Sequence, residues 1–260
     1  MKFGCSTLLY GGYSLEESLE GMQRAGYEAI ELCHIPGMGE HVELGREASY
    51  YQEVKGKLDA AGLALDSIGA SGSLGNERFE PVLKAAAALG APYVTCGSGG
   101  KADDEESFKA FCSTVKEALP PLHETGVKLS IKPHVGSSLK NPAMCLRFVE
   151  EVGDPHVGIN FDNTHIQRHG TDPVQAVKEL KDVIFTARIR DYKSDNLSIG
   201  PVENQIPGKG IVDVKGYFHA LCGVPGLQFA TVEMVGAKEF PLSEVQRIVE
   251  ETIAALKSYL

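Results

Sequence analysis

Short apolar, β-rich runs alternate with longer amphipathic stretches along the whole chain, the pattern of repeated strand–helix units around a parallel sheet. Strands are predicted at residues 2–7, 28–32, 64–69, 93–96, 128–132, 157–162, 184–189 and 228–233. Helices are predicted at 14–25, 43–61, 76–89, 104–125, 142–152, 173–181, 214–221 and 242–256, so each strand has its own helix. Four helices run into a glycine, at Gly26, Gly62, Gly90 and Gly126, where a left-handed residue would stop the helix and release the next strand. A parallel sheet needs both faces covered and no bare edge. The α/β pattern therefore predicts a closed (β/α)8 barrel, with an open doubly wound sheet as the structural alternative. In such a barrel the site lies at the carboxyl ends of the strands.

A chain of 260 residues with 43% hydrophobic content matches one barrel of this kind, and no Pro/Gly/Ser-rich linker divides it, so a single domain over 1–260 is expected. The net charge of −10 opposes phosphate backbones and anionic bilayers, which argues against nucleic acid and membrane as partners. Six cysteines, Cys5, Cys33, Cys96, Cys112, Cys145 and Cys222, are scattered without a C-x-x-C pair or a secretory leader ahead of them. Reduced thiols in a cytoplasmic protein are the expectation. The one long irregular stretch, 191–210, follows the seventh predicted strand, where loops of this length commonly bind ligands or cover a site.

Four stretches carry a family likeness by their order and spacing: Gly26 to Leu32 (GYEAIEL), Gly158 to His165 (GINFDNTH), Ile206 to Gly210 (IPGKG) ahead of Val212 and Asp213, and Thr231-Val232-Glu233. Together they resemble the xylose isomerase-like TIM barrels, which include sugar and sugar-phosphate isomerases and epimerases. The resemblance implies a small-molecule carbohydrate or sugar-acid partner, frequent homo-oligomers, and a divalent-metal site. Its ligands would be a Glu ending the fifth strand, an Asp ending the sixth, a His on the seventh and a Glu ending the eighth. Asp162 and Glu233 match, and His165 falls on the family's nearby substrate-binding or metal-assisting His. The fifth-strand position, however, is Lys132, and the seventh-strand position is Arg188. Neither an ammonium nor a guanidinium offers a lone pair at neutral pH, so neither is an ordinary metal ligand.

Charge bookkeeping suggests what replaces the ion. Lys132, Arg188, Asp162 and Glu233 sum to zero unaided, so fixed cations would hold a substrate oxygen and stabilise an enediolate. Glu233 is then the candidate general base and Lys132 its counterpart, as acid, electrophile or Schiff-base amine. Arg188 would take a carboxylate or phosphate, with Lys193 and Lys209 extending that preference. Asp162, His165, His134 and Glu31 complete the candidate substrate contacts. No cofactor is the first expectation. A rival arrangement keeps a divalent metal (Mn, Mg, Co or Zn) on Asp162 and Glu233 with His134 or His165; His169 stands at i, i+4 from His165, although Gly170 argues against a continuous helix there.

The leading function is a sugar or sugar-phosphate isomerase or epimerase. The alternatives are a lyase on a keto-sugar acid (decarboxylase, aldolase or dehydratase) and a non-catalytic sugar or sugar-acid binder. Endonuclease IV-like repair shares the barrel but needs more His and Glu ligands and suits this charge poorly. Weaker signals are His34 and Cys5 near the mouth, the glycine-rich run 96–100, whose amides could cradle an oxygen, and the acidic run 103–106, read as helix-start electrostatics.

Overall fold

In the computed structural model, which describes residues 1–260, nine strands form one sheet. They are β1 (Lys2–Ser6), β2 (Ala29–Ile35), the short β3 (Gly39–Glu40), β4 (Ala64–Gly69), β5 (Tyr93–Gly97), β6 (Lys128–Lys132), β7 (Val157–Asp162), β8 (Ile184–Ile189) and β9 (Phe229–Val232). Eight run parallel in the order β1-β2-β4-β5-β6-β7-β8-β9, and β1 pairs with both β2 and β9, which closes the barrel. Closure leaves no edge, and the open-sheet alternative is excluded. β3 lies antiparallel on the mouth end of β2, pairing Glu40 with His34, and so extends β2 beyond its predicted end.

Around the barrel stand α1 (Leu15–Ala25), α2 (Ala48–Ala61), α3 (Phe79–Leu89), α4 (Glu105–Glu117), α5 (Leu119–Thr125), α6 (Pro142–Val152), α7 (Asn163–Arg168), α8 (Pro173–Leu180), α9 (Val214–Leu221) and α10 (Leu242–Lys257). The glycines Gly26, Gly62, Gly90 and Gly126 all cap their helices in the left-handed conformation, as their spacing predicts. The single helix expected over 104–125 is two helices, because Pro120 and Pro121 lack the N–H groups that would continue the ladder of α4. The acidic run serves that helix start: Asp104 accepts from the Ser107 amide, and Glu105 and Glu106 fill the first turn.

Two further departures shape the mouth. A short α7 does form across His165, with His169 as its C-cap, because Asp162 caps it through the amides of Thr164 and His165. The long segment 191–210 wraps around a buried carboxylate. Asp191 accepts from the amides of Tyr192, Gly208, Gly210 and Val212, and a Cβ at Gly210 would sit 2.2 Å from Asp191 Oδ1. Only glycine fits there, which gives the Ile206–Gly210 motif a structural reason.

Five of the six cysteines are buried, Cys222 is exposed, and none is paired. No helix is long and apolar enough to cross a membrane. Two register shifts, at Ile30/Glu31 against β4 and at Ile159/Asn160 against β8, leave Asp66 and Phe185 as extra residues in the partner strands. Such shifts re-aim the residues that follow them.

Candidate active site

A cavity of about 740 Å³ opens at the carboxyl ends of the strands, lined by Lys132, His134, His165, Arg168, Arg190 and Glu233 together with the glycine run Gly97–Gly100 and apolar side chains such as Phe111 and Ile35. Lys132 ends β6, and Glu233 is the first residue past β9. Closure of the barrel brings them face to face: Lys132 Nζ donates to Glu233 Oε1 at 2.5 Å. The other oxygen, Oε2, accepts from Arg188 Nε at 3.0 Å. Burial works to raise the Glu233 carboxyl, but Lys132, Arg188 and Arg190 outweigh it and hold it at about 2.

Arg188 and Glu31, expected to contact substrate, do not line this cavity. Arg188 pairs in register with Thr231, one layer deeper than Glu233, and is fully buried. Its Nη2 bonds Glu31 Oε2 and lies 3.2 Å from Thr95 Oγ1, while Nη1 is 3.7 Å from Asp66 Oδ2. Glu31 also accepts from Ser67 and Thr95. Arg188 therefore acts as the centre of a buried ion cluster, where three carboxylates outweigh the cost of burying it. Burial pushes the Asp66 carboxyl up to about 6, against the opposing pull of Arg188 and the Thr231 hydroxyl.

Asp162 is also fully buried and fully engaged. Oδ1 accepts from the Thr164 amide and hydroxyl and the His165 amide, and Oδ2 accepts from Arg190 Nη2 at 2.8 Å. Burial raises this carboxyl, yet Arg190, Lys132 and the Thr164 hydroxyl hold it well below the usual carboxylate range. His165 Nδ1 receives two donors, the Val135 amide at 3.1 Å and Arg168 Nη2 at 2.9 Å. That pattern fixes the neutral ring with its proton on Nε2, and burial, aided by Arg190 and Lys132, keeps the ring from charging.

These groups do not fit the four-ligand metal centre that the family likeness implies. Two ligand positions carry cations, both Glu233 oxygens are ion-paired, Asp162 is saturated, and His165 presents an N–H instead of a lone pair. Of the recruited donors, His134 keeps a ring nitrogen, Nε2, without a partner; its Nδ1 lies 3.2 Å from the Val135 carbonyl, and its ring centroid is 4.1 Å from that of His165. His169 accepts from the Gly136 amide. His34 contacts the Val42 carbonyl. Lys209 pairs with Glu251, and Lys193 does not line the cavity. At the opposite end of the barrel, His123, Asp154 and His156 gather within 4.8 Å, with Asp154 joined to both rings.

The family model for xylose isomerase-like TIM barrels matches residues 19–259. The chain belongs to that family. No curated protein matches it significantly. Among solved structures, the zinc-bound IolI protein superposes with a TM-score of 0.79 at 17% identity, over 100% of this chain and 99% of that one. The probable 3-DHS dehydratase AsbF from Bacillus anthracis gives 0.78 at 17%, over 99% of each chain. A D-allulose 3-epimerase from Methylomonas sp., in complex with D-allulose, gives 0.75 at 15%, over 100% and 97%. Identities this low speak to the shared fold.

Sequence reading passed over Arg168, Arg190 and Asp66. A signal existed for each. Arg190 stands two positions after Arg188, hence on the same face of the chain; Arg168 repeats the three-residue step from Asp162 to His165; and Asp66 is the one charge inside an otherwise uncharged strand.

Proposed function

We propose that this barrel is an isomerase or epimerase that moves a proton next to the carbonyl of a small polyhydroxylated substrate, with Glu233 and Lys132 as the reacting pair and without a divalent metal. The observation that carries the reading is the direct Lys132–Glu233 contact at the wall of the cavity. In the resting site Glu233 is too well stabilised to be a strong base. A substrate carbonyl oxygen that takes over the Lys132 ammonium leaves Glu233 with one cation fewer in the same buried surroundings, and its basicity rises. Glu233 then accepts the proton from the adjacent carbon, the electron pair shifts onto the carbonyl oxygen, and Lys132 stabilises the resulting enediolate. Return of the proton to the former carbonyl carbon, with the adjacent hydroxyl giving its proton to the oxygen held by Lys132, gives isomerisation; protonation from the opposite face by a second donor, Lys132 or water, while Glu233 keeps the first proton, gives epimerisation. Solved structures of the same fold that carry sugar epimerase names, two of them described with a sugar, support the carbohydrate class.

The AsbF likeness and the cations of the cavity wall support a second reading, a lyase, which would use the same enolate and expel a leaving group from it. Both are tested by following ketoses, their phosphates and keto-sugar acids in deuterated water by NMR. Solvent deuterium entering beside the carbonyl, reduced at least about 100-fold in Glu233→Gln, is the expected result. Release of carbon dioxide, water or a carbon fragment would select the lyase, and exchange that persists undiminished in Glu233→Gln would overturn the assignment.

A further inference from the structure

We infer that Arg168 and Arg190 form an anion subsite in the cavity wall, so that the substrate is an acidic sugar derivative, binding through a carboxylate or a phosphate monoester. The inference rests on the proposed use of this cavity and names its substrate class.

Arg190 carries the first observation. It is 2% exposed, yet it lines the cavity. Nη2 donates to Asp162 and Nε to the Thr164 hydroxyl, while Nη1 is buried with no partner at all. A charged donor left unsatisfied in a buried position is costly and calls for an acceptor. The cavity is where that acceptor would arrive.

Arg168 carries the second. Its three bonds go to uncharged acceptors: Nε to the Thr164 carbonyl at 3.1 Å, Nη1 to the Leu197 carbonyl at 2.8 Å, and Nη2 to His165 Nδ1 at 2.9 Å. It enters no ion pair, whereas Lys132 is matched by Glu233 and Arg190 by Asp162. Since His165 is held neutral, Arg168 is the one cation of the cavity lining without a carboxylate partner. Both guanidinium groups are anchored on Thr164, Arg168 through its carbonyl and Arg190 through its hydroxyl, and both side chains line the cavity. Two planar forks at one place suit the paired oxygens of a carboxylate or phosphate. Arg188, for which this role was expected, cannot supply it, since its charge is already spent on Glu31, Glu233 and Asp66.

The test uses the full chain and isothermal titration at low ionic strength with D-fructose, D-fructose 6-phosphate and D-fructuronate as probes. Arg168→Met keeps the aliphatic stem and removes the unmatched charge; Arg190→Lys keeps a cation beside Asp162 and removes the orphaned nitrogen. At least one acidic probe should bind the wild type about 10-fold or more tighter than D-fructose, and that margin should shrink to within about 3-fold in Arg168→Met and fall in Arg190→Lys. Which acidic probe gains identifies the carboxylate or the phosphate. Acidic probes that bind no better than the neutral one, or a margin that survives both substitutions, would overturn the subsite. Charge-dependent binding without deuterium exchange would keep the subsite and fail the proton-transfer reading; exchange with no charge preference would do the reverse.

Discussion

Lys132 Nζ and Glu233 Oε1, 101 residues apart in the chain, meet at 2.5 Å across the mouth of the barrel. The family likeness puts acidic ligands of one ion at both positions. Here an ammonium and a carboxylate satisfy each other directly, and the Arg188 cluster beneath supplies Glu233 with its second partner. The consequence is a site whose cations are its own side chains, and whose charge state depends on how they pair.

Replacing Lys132 by Met should move the acid limb of the exchange reaction to higher pH, by about one unit or more. Glu233 loses one of the three cations that overcome its burial, so its carboxyl must rise from about 2. The stability follows the same sign. Glu233 in the fold titrates below its unfolded value of about 4.3, so its contribution is present above that value and is lost as the pH falls toward 2. In the variant the loss should set in at higher pH, which acid titration followed by circular dichroism would read. Coincident curves for the two proteins would mean that Lys132 does not govern Glu233.

Chelation should leave the wild-type exchange rate unchanged, and titration with Mn²⁺, Co²⁺ or Zn²⁺ should show no stoichiometric uptake at the mouth. The double substitution Lys132→Glu with Arg188→His returns a carboxylate and an imidazole to the two departed positions and should create such uptake. Calorimetry on both proteins decides it; a wild type that loses turnover to chelator and regains it with metal would refute the metal-free reading.

His165 should remain neutral and protonated on Nε2 at neutral pH and through the range where an ordinary imidazole titrates. Both the Val135 amide and Arg168 donate to Nδ1, and burial lowers the ring well below its ordinary value. Nitrogen-15 NMR of the imidazole distinguishes the tautomers, and a resonance that titrates near pH 6.5 would contradict the assignment.

Asp66→Asn should stabilise the protein at neutral pH by on the order of 2 kcal/mol. Burial raises this carboxyl to about 6, above its unfolded value of about 3.9. The unfolded chain therefore ionises first, and stability is lost as the pH rises from about 4 to about 6. The neutral amide removes that loss while Thr231 keeps an acceptor. Urea unfolding of both proteins at low and neutral pH measures it; a variant that is weaker at neutral pH would show that Arg188 needs this third charge.

The chain by itself determined the barrel, because alternation, glycine caps and strand length are local properties that periodicity reports directly. It also disclosed Lys132 and Arg188 as cations at positions where the family resemblance implies metal ligands. What those cations face was decided only by closure of the barrel. Glu31 and Arg188 are 157 residues apart, and Arg188 and Glu233 45, so no local spacing links them. Periodicity says which way a side chain points, whereas its partner, and hence its charge and its work, depends on which strands close the ring. That is why Arg188 turned out to be matched and buried, while the unmatched cation was Arg168.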